Sequence, residues 1–243
     1  MNPSVVDRIY DASIQSGGKY DLSYSPPVGE GNLKADCIIL QLGTRYKSYC
    51  ATVGRTYLID PDKVVQSQYG FLVQLYDKIF DLLHPGTSLK HIYNSAVSLI
   101  EESKHKNLVS HFLPDCGTAL GLQVKDDEFT INANNKNVLK KNMVINLRLG
   151  FQNLQHNGKK YALFLSDTVL ITDEGPKLLT NVKKKTSDVC YFLEGEEEED
   201  KPAKKEKEKP KKQKEEVKKE PKKETPEKSK PTPKPAKAEK AEV

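Results

Sequence analysis

The sequence predicts an α+β domain in which helices pack on one face of an antiparallel sheet. Three observations support this fold class: a β-hairpin pattern at residues 36–60, two helical patterns directly after it, and short β-favouring runs from residue 108 onward. Side chains that point to the same face recur every two residues in a strand and about every 3.6 residues in a helix. The spacing of hydrophobic residues therefore distinguishes strands from helices. Strands and helices that are grouped along the chain are typical of α+β folds.

The predicted hairpin follows a first segment that is rich in Gly, Ser and Pro. In residues 1–33 we expect loops and one short strand. The runs 37–42 and 57–59 are apolar and β-favouring, and a polar, aromatic connection that includes residues 46–49 joins them. Two such runs around a turn-bearing segment indicate a hairpin.

Two amphipathic helices are predicted next. Asp60 supplies an N-cap acceptor and Pro61 a first-turn proline, so we expect the first helix over residues 61–83. Its apolar residues recur at three- and four-residue spacing: Val65, Tyr69, Leu72, Leu75, Tyr76, Ile79 and Leu83. A Pro-Gly pair at 85–86 ends it. The second helix is expected from residues 87–88 to about residue 104, with the apolar face Leu89, Ile92, Tyr93, Ala96, Val97 and Ile100.

From residue 108 to residue 193, the sequence pattern predicts short strands separated by turns. The β-favouring runs are 120–124, 129–131, 143–147, 161–165 and 168–172. Clusters of Asn, Gly, Asp and Pro lie between several of them, at 132–137, 157–160 and 173–176. This order completes the prediction of a sheet whose helices lie on one side.

The charge distribution divides the chain near residue 194. Residues 201–243 hold 17 lysines and nine glutamates, a net charge of +8, and residues 194–200 hold six acidic residues. The whole chain carries +5, which leaves +3 for residues 1–193. We therefore predict one domain over 1–193, an acidic linker over 194–200 and a disordered Lys/Glu/Pro-rich tail over 201–243. The tail has too little apolar area to offset its ordering entropy.

Cysteine usage and hydropathy predict a soluble intracellular protein. No apolar run approaches the roughly 18–20 residues that span a bilayer, and the N-terminus lacks a signal-peptide pattern. The four cysteines form no CxxC pair, so we expect buried reduced thiols at Cys37, Cys50, Cys116 and Cys190.

Several motifs resemble the pita-bread metallopeptidase superfamily, which includes creatinase and the proline and methionine aminopeptidases. They are Arg55-Thr56 in the hairpin, TALGL at 118–122, MVINLRLG at 143–150 and LSDTVL at 165–170. The resemblance covers residues 15–193 and is incomplete at its N-terminal side. It implies a curved antiparallel sheet with helices on its outer face. Active members hold two metal ions through two Asp, one His and two Glu, which activate a bridging water.

At the five matching ligand positions this sequence has no metal ligand. By the resemblance these positions are Gln41, Thr52, Thr118, Arg148 and Ser166. A divalent ion about 4 Å from Arg148 would be repelled by about 8 kcal/mol at an effective dielectric of 20. No anion remains at these positions to offset that repulsion. The chain is therefore predicted not to be an enzyme, and to bind neither metal nor cofactor.

One subfamily combines this scaffold with an emptied site, namely the large subunit of the histone chaperone FACT. The similar segments are 14–20, 45–50, 161–164 and 179–185, together with the acidic run after residue 193. The resemblance implies a histone-binding chaperone module, with H3–H4 favoured, in nuclear chromatin. It would act on nucleosomes in transcription, replication and DNA repair, beside the small HMG-type FACT subunit. The alternatives are a peptide-binding pseudoenzyme outside chromatin and, third, a residual metalloaminopeptidase.

Three groups of residues are candidate binding sites. Clustered carboxylates suit basic partners, so a histone site is predicted at Glu194, Glu196, Glu197, Glu198, Glu199 and Asp200, with a solvated linker as the alternative. Nonspecific DNA contact through counterion release is predicted at Lys204, Lys205, Lys207, Lys209, Lys211 and Lys212, with a solubilising spacer as the alternative. Lys125, which falls on a proton-transfer His of the superfamily, and Arg148 are a possible basic pocket; otherwise they pair with local acids such as Asp115 or Asp126.

Overall fold

A computed structural model describes residues 5–29 and 31–193 of the chain. The acidic segment 194–200 and the lysine-rich segment 201–243 lie outside these residues, so their predicted limits and binding roles stay predictions. The α+β architecture predicted for the body is confirmed within the described ranges. It is built on one nine-stranded sheet with two main helices.

The sheet is antiparallel apart from one short strand. Its main path runs β1-β3-β4-β7-β6-β5, while β2 also pairs with β3, β8 pairs with β7, and β9 runs parallel to β4. Two short strands stand in the N-terminal segment, where the sequence predicted one. The strand bounds are β1 (Val6–Arg8), β2 (Ser13–Gln15), β3 (Cys37–Tyr46), β4 (Tyr49–Ile59), β5 (Gly117–Ala119), β6 (Val144–His156), β7 (Lys159–Thr172), β8 (Gly175–Leu178) and β9 (Cys190–Tyr191).

The predicted hairpin is confirmed as β3 and β4. Its register pairs Cys37 with Leu58 at one end and Tyr46 with Tyr49 at the other. The two turn residues, Lys47 and Ser48, have positive φ angles of 47° and 71°. This left-handed pair matches the twist of the flanking strands, which explains a two-residue connection without glycine.

The runs predicted at 161–165 and 168–172 are parts of one long strand, β7. Ser166, Asp167 and Thr168 interrupt the apolar pattern, yet all three are buried inside the sheet. They remain in the strand because each side chain has a hydrogen-bond partner, which makes their burial tolerable. The sequence prediction divided the strand at these residues because they are polar.

Both helices are present, with shorter bounds than predicted. α1 spans Lys63–Phe80, and its N-cap is Asp62 rather than Asp60, because the Asp62 side chain accepts from the backbone N–H groups of Val64 and Val65. Asp60 instead has a positive φ of 44°. α2 spans Leu89–Glu101. No described helix has both the length and the apolar character that crossing a bilayer requires.

Two of the predicted strands do not form as expected. Strand β5 lies at Gly117–Ala119, just before the predicted run 120–124, which is bent and largely exposed beyond Leu120. At 129–131 there is no strand, because Asp126 caps a single 3-10 turn over Asp127–Phe129. The capping carboxylate favours that turn over an extended conformation.

The two faces of the sheet have different coverings. Both helices lie on the outer face, where Phe71 of α1 stacks on Phe151 of β6 with ring centroids 6.3 Å apart. The inner face, which carries Gln41, Thr52 and Arg148, is covered by no helix among the described residues. Its covering is an irregular part of the N-terminal segment, and the candidate site lies beneath it.

Candidate functional site

The five positions that the motif resemblance aligns with the superfamily's metal ligands lie on the inner face of the sheet. Gln41 of β3 pairs with Gly54 of β4, Gly54 pairs with Ser166 of β7, and Ser166 pairs with Arg148 of β6. These four residues therefore form one row across four strands. Thr52 and Thr118 face the same side, opposite Gly43 and Asn146 respectively. All five are buried.

Four of these side chains form hydrogen bonds with the protein itself, and three of the four are neutral. Gln41 donates from Nε2 to the Asp21 carbonyl at 2.9 Å. Thr118 donates from Oγ1 to the Asp126 carbonyl at 2.6 Å. The Ser166 hydroxyl donates to Oδ1 of Asn146 at 2.6 Å. Thr52 differs, since its buried Oγ1 has no hydrogen-bond partner among the described residues.

Arg148 places a cation at the β6 end of this row, with only 3% of its surface exposed. One guanidinium nitrogen, Nη2, donates to the Leu22 carbonyl. The guanidinium carbon lies 4.1 Å from the centre of the Tyr24 ring, in cation–π geometry. Nε lies 3.8 Å from Oδ1 of Asp115, close enough for charge pairing but without a hydrogen bond. The pairing with Asp115 matches the alternative considered for Arg148.

The Tyr24 ring lies beside both residues of the predicted basic pocket. Lys125 lies 5.7 Å from its ring centre, and Arg148 contacts the same ring. Lys125 is 41% exposed and also pairs with Asp127, not with Asp126. The Tyr24 hydroxyl donates to Asp115 at 2.6 Å. Burial is the main reason that the pKa of Tyr24 is raised, so the phenol stays protonated.

Residues 21–27, which we call the cleft segment, lie over the inner face in an irregular course with bends at residues 23–25. Leu22 and Pro26 are buried and Tyr24 is half-buried, whereas the intervening Asp21, Ser23 and Ser25 are exposed. This alternation resembles that of a strand. None of these residues makes a main-chain to main-chain hydrogen bond with another described residue.

The chemistry of the row suits a peptide backbone better than a metal ion. In the described ranges, no three His, Cys, Asp or Glu side chains converge on a point where a metal ion could sit. Arg148 has only hydrogen-bond donors, whereas metal ions require electron-pair donors. Gln41 is neutral and uses its Nε2–H group as a donor here. The two side chains bind two consecutive carbonyls of the cleft segment, those of Asp21 and Leu22.

A second polar cluster, on the outer face, was missed by sequence reasoning. Arg55 Nη2 and Asp167 Oδ1 lie 2.6 Å apart and are almost fully buried. Arg55 also donates to the carbonyls of Val182 and Lys183, and Thr180 donates to Asp167 at 2.6 Å. This cluster binds the segment that follows β8 to the sheet. The only sequence signal was the Arg55-Thr56 pair, which served solely to align the motif.

The chain matches the model of metallopeptidase family M24 over residues 3–173. FACT complex subunit SPT16 of Gibberella zeae is 38% identical over 215 residues, which cover 86% of this chain and 21% of that protein. The subunit of the same name from Arabidopsis thaliana is 38% identical over 214 residues, covering 84% and 20%. The chain thus spans about a fifth of the length of these curated relatives.

Solved structures confirm the predicted pita-bread fold. The N-terminal domain of FACT complex subunit SPT16 from Eremothecium gossypii superposes with a TM-score of 0.76 and 37% identity, covering 79% of this chain and 45% of that one. A prolidase from Pyrococcus furiosus superposes with a TM-score of 0.63 at 24% identity, over 72% of this chain and 50% of its own. The prolidase likeness concerns the fold alone. The resemblance drawn from the sequence motifs is confirmed.

Proposed function

Because this chain belongs to metallopeptidase family M24 and is similar to SPT16 subunits of FACT complexes over most of its length, we propose that it is a non-catalytic histone-chaperone module. The observation that carries this proposal is the buried Arg148 guanidinium within the row of former ligand positions. A hydrolytic two-metal site needs anionic ligands around its ions. In our proposal the Arg148 guanidinium takes the place of one of these anionic ligands.

The neighbours of Arg148 add to this argument. Its positive charge is balanced by Asp115 at 3.8 Å, so that carboxylate is already paired. Gln41 and Ser166, two other members of the row, are neutral and hydrogen-bonded within the protein. A metal ion would have to displace these contacts and the cleft segment, without a carboxylate to bind in return.

Histones, H3–H4 in particular, are the proposed partners. The six acidic residues of 194–200 follow the folded body directly and suit a lysine- and arginine-rich partner. We place the protein in nuclear chromatin, together with a small HMG-type FACT subunit. The lysine-rich tail adds nonspecific DNA affinity, because 17 lysines exceed nine glutamates in 201–243.

A pull-down with purified H3–H4 at physiological salt tests this function. The full chain should retain H3–H4 at micromolar concentration. A matched variant with Gln or Asn at the six acidic positions of 194–200 distinguishes binding by the acidic residues from binding by the folded surface. We expect this variant to bind H3–H4 more weakly than the unaltered chain. If the full chain shows no binding at micromolar concentration, the chaperone proposal is wrong.

A further inference from the structure

We propose that the tip of the β6–β7 hairpin and the turn at residues 17–19 together form a binding site for the phosphate backbone of DNA. The site consists of Lys19, Lys34 and Lys160, which we call the tip cluster, with a polar cavity beside Lys160. It lies in the folded body and is therefore separate from the lysine-rich tail. The choice of DNA as the polyanion rests on the proposed chromatin function, whereas the site itself rests on the geometry of the cluster.

Two tight turns bring the three lysines together. Residues 157–158 join β6 to β7 with positive φ angles of 48° and 75°, so Lys160 is held close to a two-residue turn. Gly18 packs against Lys160, since a Cβ atom at this glycine would lie 3.4 Å from the Lys160 Cβ. The preceding glycine packs in the same way against the Lys34 side chain. Lys19 follows Gly18 directly, so all three lysines stand around these turns.

The tip cluster carries a net positive charge. Lys19, Lys34 and Lys160 are exposed, and none of them forms an ion pair with an acid of the described residues. Asp36 is the carboxylate that contacts this turn, where its Oδ1 accepts from the Gly17 N–H at 3.3 Å. Three cations against this one carboxylate create a positive potential that attracts phosphate.

A polar cavity of about 330 Å³ lies beside Lys160. Asn153 and Gln155 of β6 line it, and both are exposed, so their amide groups can turn toward a ligand. Asn153 has a positive φ of 57° and lies in an irregularity of the β6–β7 register. Bulges of this kind re-aim side chains. Lysine ammonium groups and side-chain amides are among the groups that bind phosphate oxygens in protein–DNA complexes.

The tip cluster is distinct from the row of former ligand positions. Gln155, which pairs with Lys160 across the hairpin, lies seven residues beyond Arg148 along β6. That separation is about 23 Å at a rise of about 3.3 Å per residue. Lysines on separate turns match the repeated phosphates of a nucleic-acid backbone better than they match one small anion. As point charges they read no sequence, so the binding is nonspecific.

The last described residue lies at the same end of the molecule. The Leu193 N–H donates to Oδ1 of Asp60 at 2.9 Å. Asp62, two residues further on, pairs through Oδ2 with Nε2 of His156 at 3.1 Å. His156 is the last residue of β6 before the turn that leads to Lys160. The lysine-rich tail follows after seven further residues, which span at most about 25 Å when fully extended. DNA at the tip cluster is therefore within reach of the tail.

Substitutions that remove the charges of the tip cluster test the proposal in the full chain. The variant combines Lys19→Gln, Lys34→Gln and Lys160→Gln, and fluorescence anisotropy measures its binding to a short labelled duplex at several salt concentrations. We expect at least tenfold weaker binding at low salt. The slope of log affinity against log salt should become shallower by about 0.9 for each phosphate contact that is lost.

A matched control removes three exposed lysines at another place. Lys90→Gln, Lys104→Gln and Lys106→Gln change the net charge by the same amount, in and just after α2. This control should bind the duplex nearly as the unaltered chain does. Circular dichroism establishes that each variant is folded. Unchanged binding by the tip-cluster variant, or equal losses in both variants, would overturn the proposal.

Lysine acetylation followed by mass spectrometry tests the site without any substitution. The duplex should protect Lys19, Lys34 and Lys160 of the unaltered chain, while Lys90 stays reactive. Protection by inorganic phosphate at the same ionic strength, without protection by the duplex, would assign the site to a small anion and contradict DNA binding. Neither measurement involves histones, and the tail is present throughout. Failure here is therefore distinguishable from failure of H3–H4 binding.

Discussion

Arg55 and Asp167 form an ion pair inside the protein, with Nη2 and Oδ1 2.6 Å apart and side-chain exposures of 1% and 0%. The other donors of Arg55 are also used, by the carbonyls of Gly54, Ser166, Val182 and Lys183. Such a pair is tolerated in the interior because its desolvation is offset by several hydrogen bonds. It joins β4, β7 and the segment after β8 at one point.

Removal of one partner should be strongly destabilising. Asp167→Asn keeps the shape of the side chain but leaves the buried guanidinium without its counter-charge. We therefore expect the free energy of unfolding to fall by about 3–5 kcal/mol. Urea denaturation monitored by circular dichroism measures the change. The matched control is Asp11→Asn, which breaks the exposed Arg8–Asp11 pair and should cause a much smaller loss.

The double variant Arg55→Met with Asp167→Leu sharpens this test. Replacing both charges with apolar groups leaves no uncompensated ion, so it should cost less than either single substitution. If the two single substitutions prove neutral, the pair is not a determinant of stability.

Metal binding should be absent at the inner face. After incubation with Mn²⁺ and desalting, we expect well below one equivalent of metal per chain, because Arg148 occupies the row and its neighbours are neutral. Elemental analysis measures this directly. A contrast variant restores ligands at all five positions, through Gln41→Asp, Thr52→Asp, Thr118→His, Arg148→Glu and Ser166→Glu, and should bind metal if it folds. Two equivalents in the unaltered chain would contradict the prediction.

Stability should fall at alkaline pH. Burial raises the pKa of Tyr10 and of Tyr161 to about 12, and it raises the pKa of Tyr24, Tyr69 and Tyr76 further. In the unfolded chain tyrosine ionises near pH 10. The folded state holds the neutral phenols, so this stabilisation is complete below about pH 10 and is lost as the pH rises through the folded values.

Ultraviolet absorbance of tyrosinate, recorded with circular dichroism across the same pH range, measures this effect. The tyrosines with raised pKa should ionise over the same pH range in which circular dichroism shows the protein unfolding. Tyr24→Phe should reduce the late amplitude by one residue. Full ionisation of all 11 tyrosines with the fold intact would contradict the expectation.

Removal of residues 201–243 should weaken DNA binding and flatten its salt dependence. Each lysine that neutralises a phosphate releases counterions, so the slope of affinity against salt reports the number of contacts. Fluorescence anisotropy with a short duplex at several salt concentrations measures both quantities. A tail of equal length with its 17 lysines replaced by glutamine is the matched control. Unchanged affinity in both variants would indicate that the tail is only a spacer.

The regular elements of the fold could be predicted because their patterns are local. The hairpin and α1 follow from β-favouring runs and from apolar residues at helical spacing, and their positions differ from the prediction by only a few residues. Strand β7 was divided because Ser166, Asp167 and Thr168 are polar. Their partners lie on other strands, so no local pattern could show that these residues are satisfied in the interior.

The sequence motifs selected residues that the structure brings together on the inner face, but they did not indicate what contacts those residues make. Motif spacing located Arg148 and Gln41, and the structure brings them into one row with Gly54 and Ser166. The cleft segment was not foreseen. Its alternation, Leu22-x-Tyr24-x-Pro26, is too short to stand out, and its proline disfavours a strand. Its contacts join residues as far apart as Leu22 and Arg148, which spacing along one sequence does not reveal.

The pairing of β1 and β2 with β3 has a consequence for self-association. Without them, β3 would present an open row of N–H and C=O groups beside the apolar run 38–40. An exposed edge strand of this kind can pair with strands from other molecules, which leads to aggregation or domain swapping. β1 and β2 therefore cover part of this edge, and removing residues 1–15 should promote self-association.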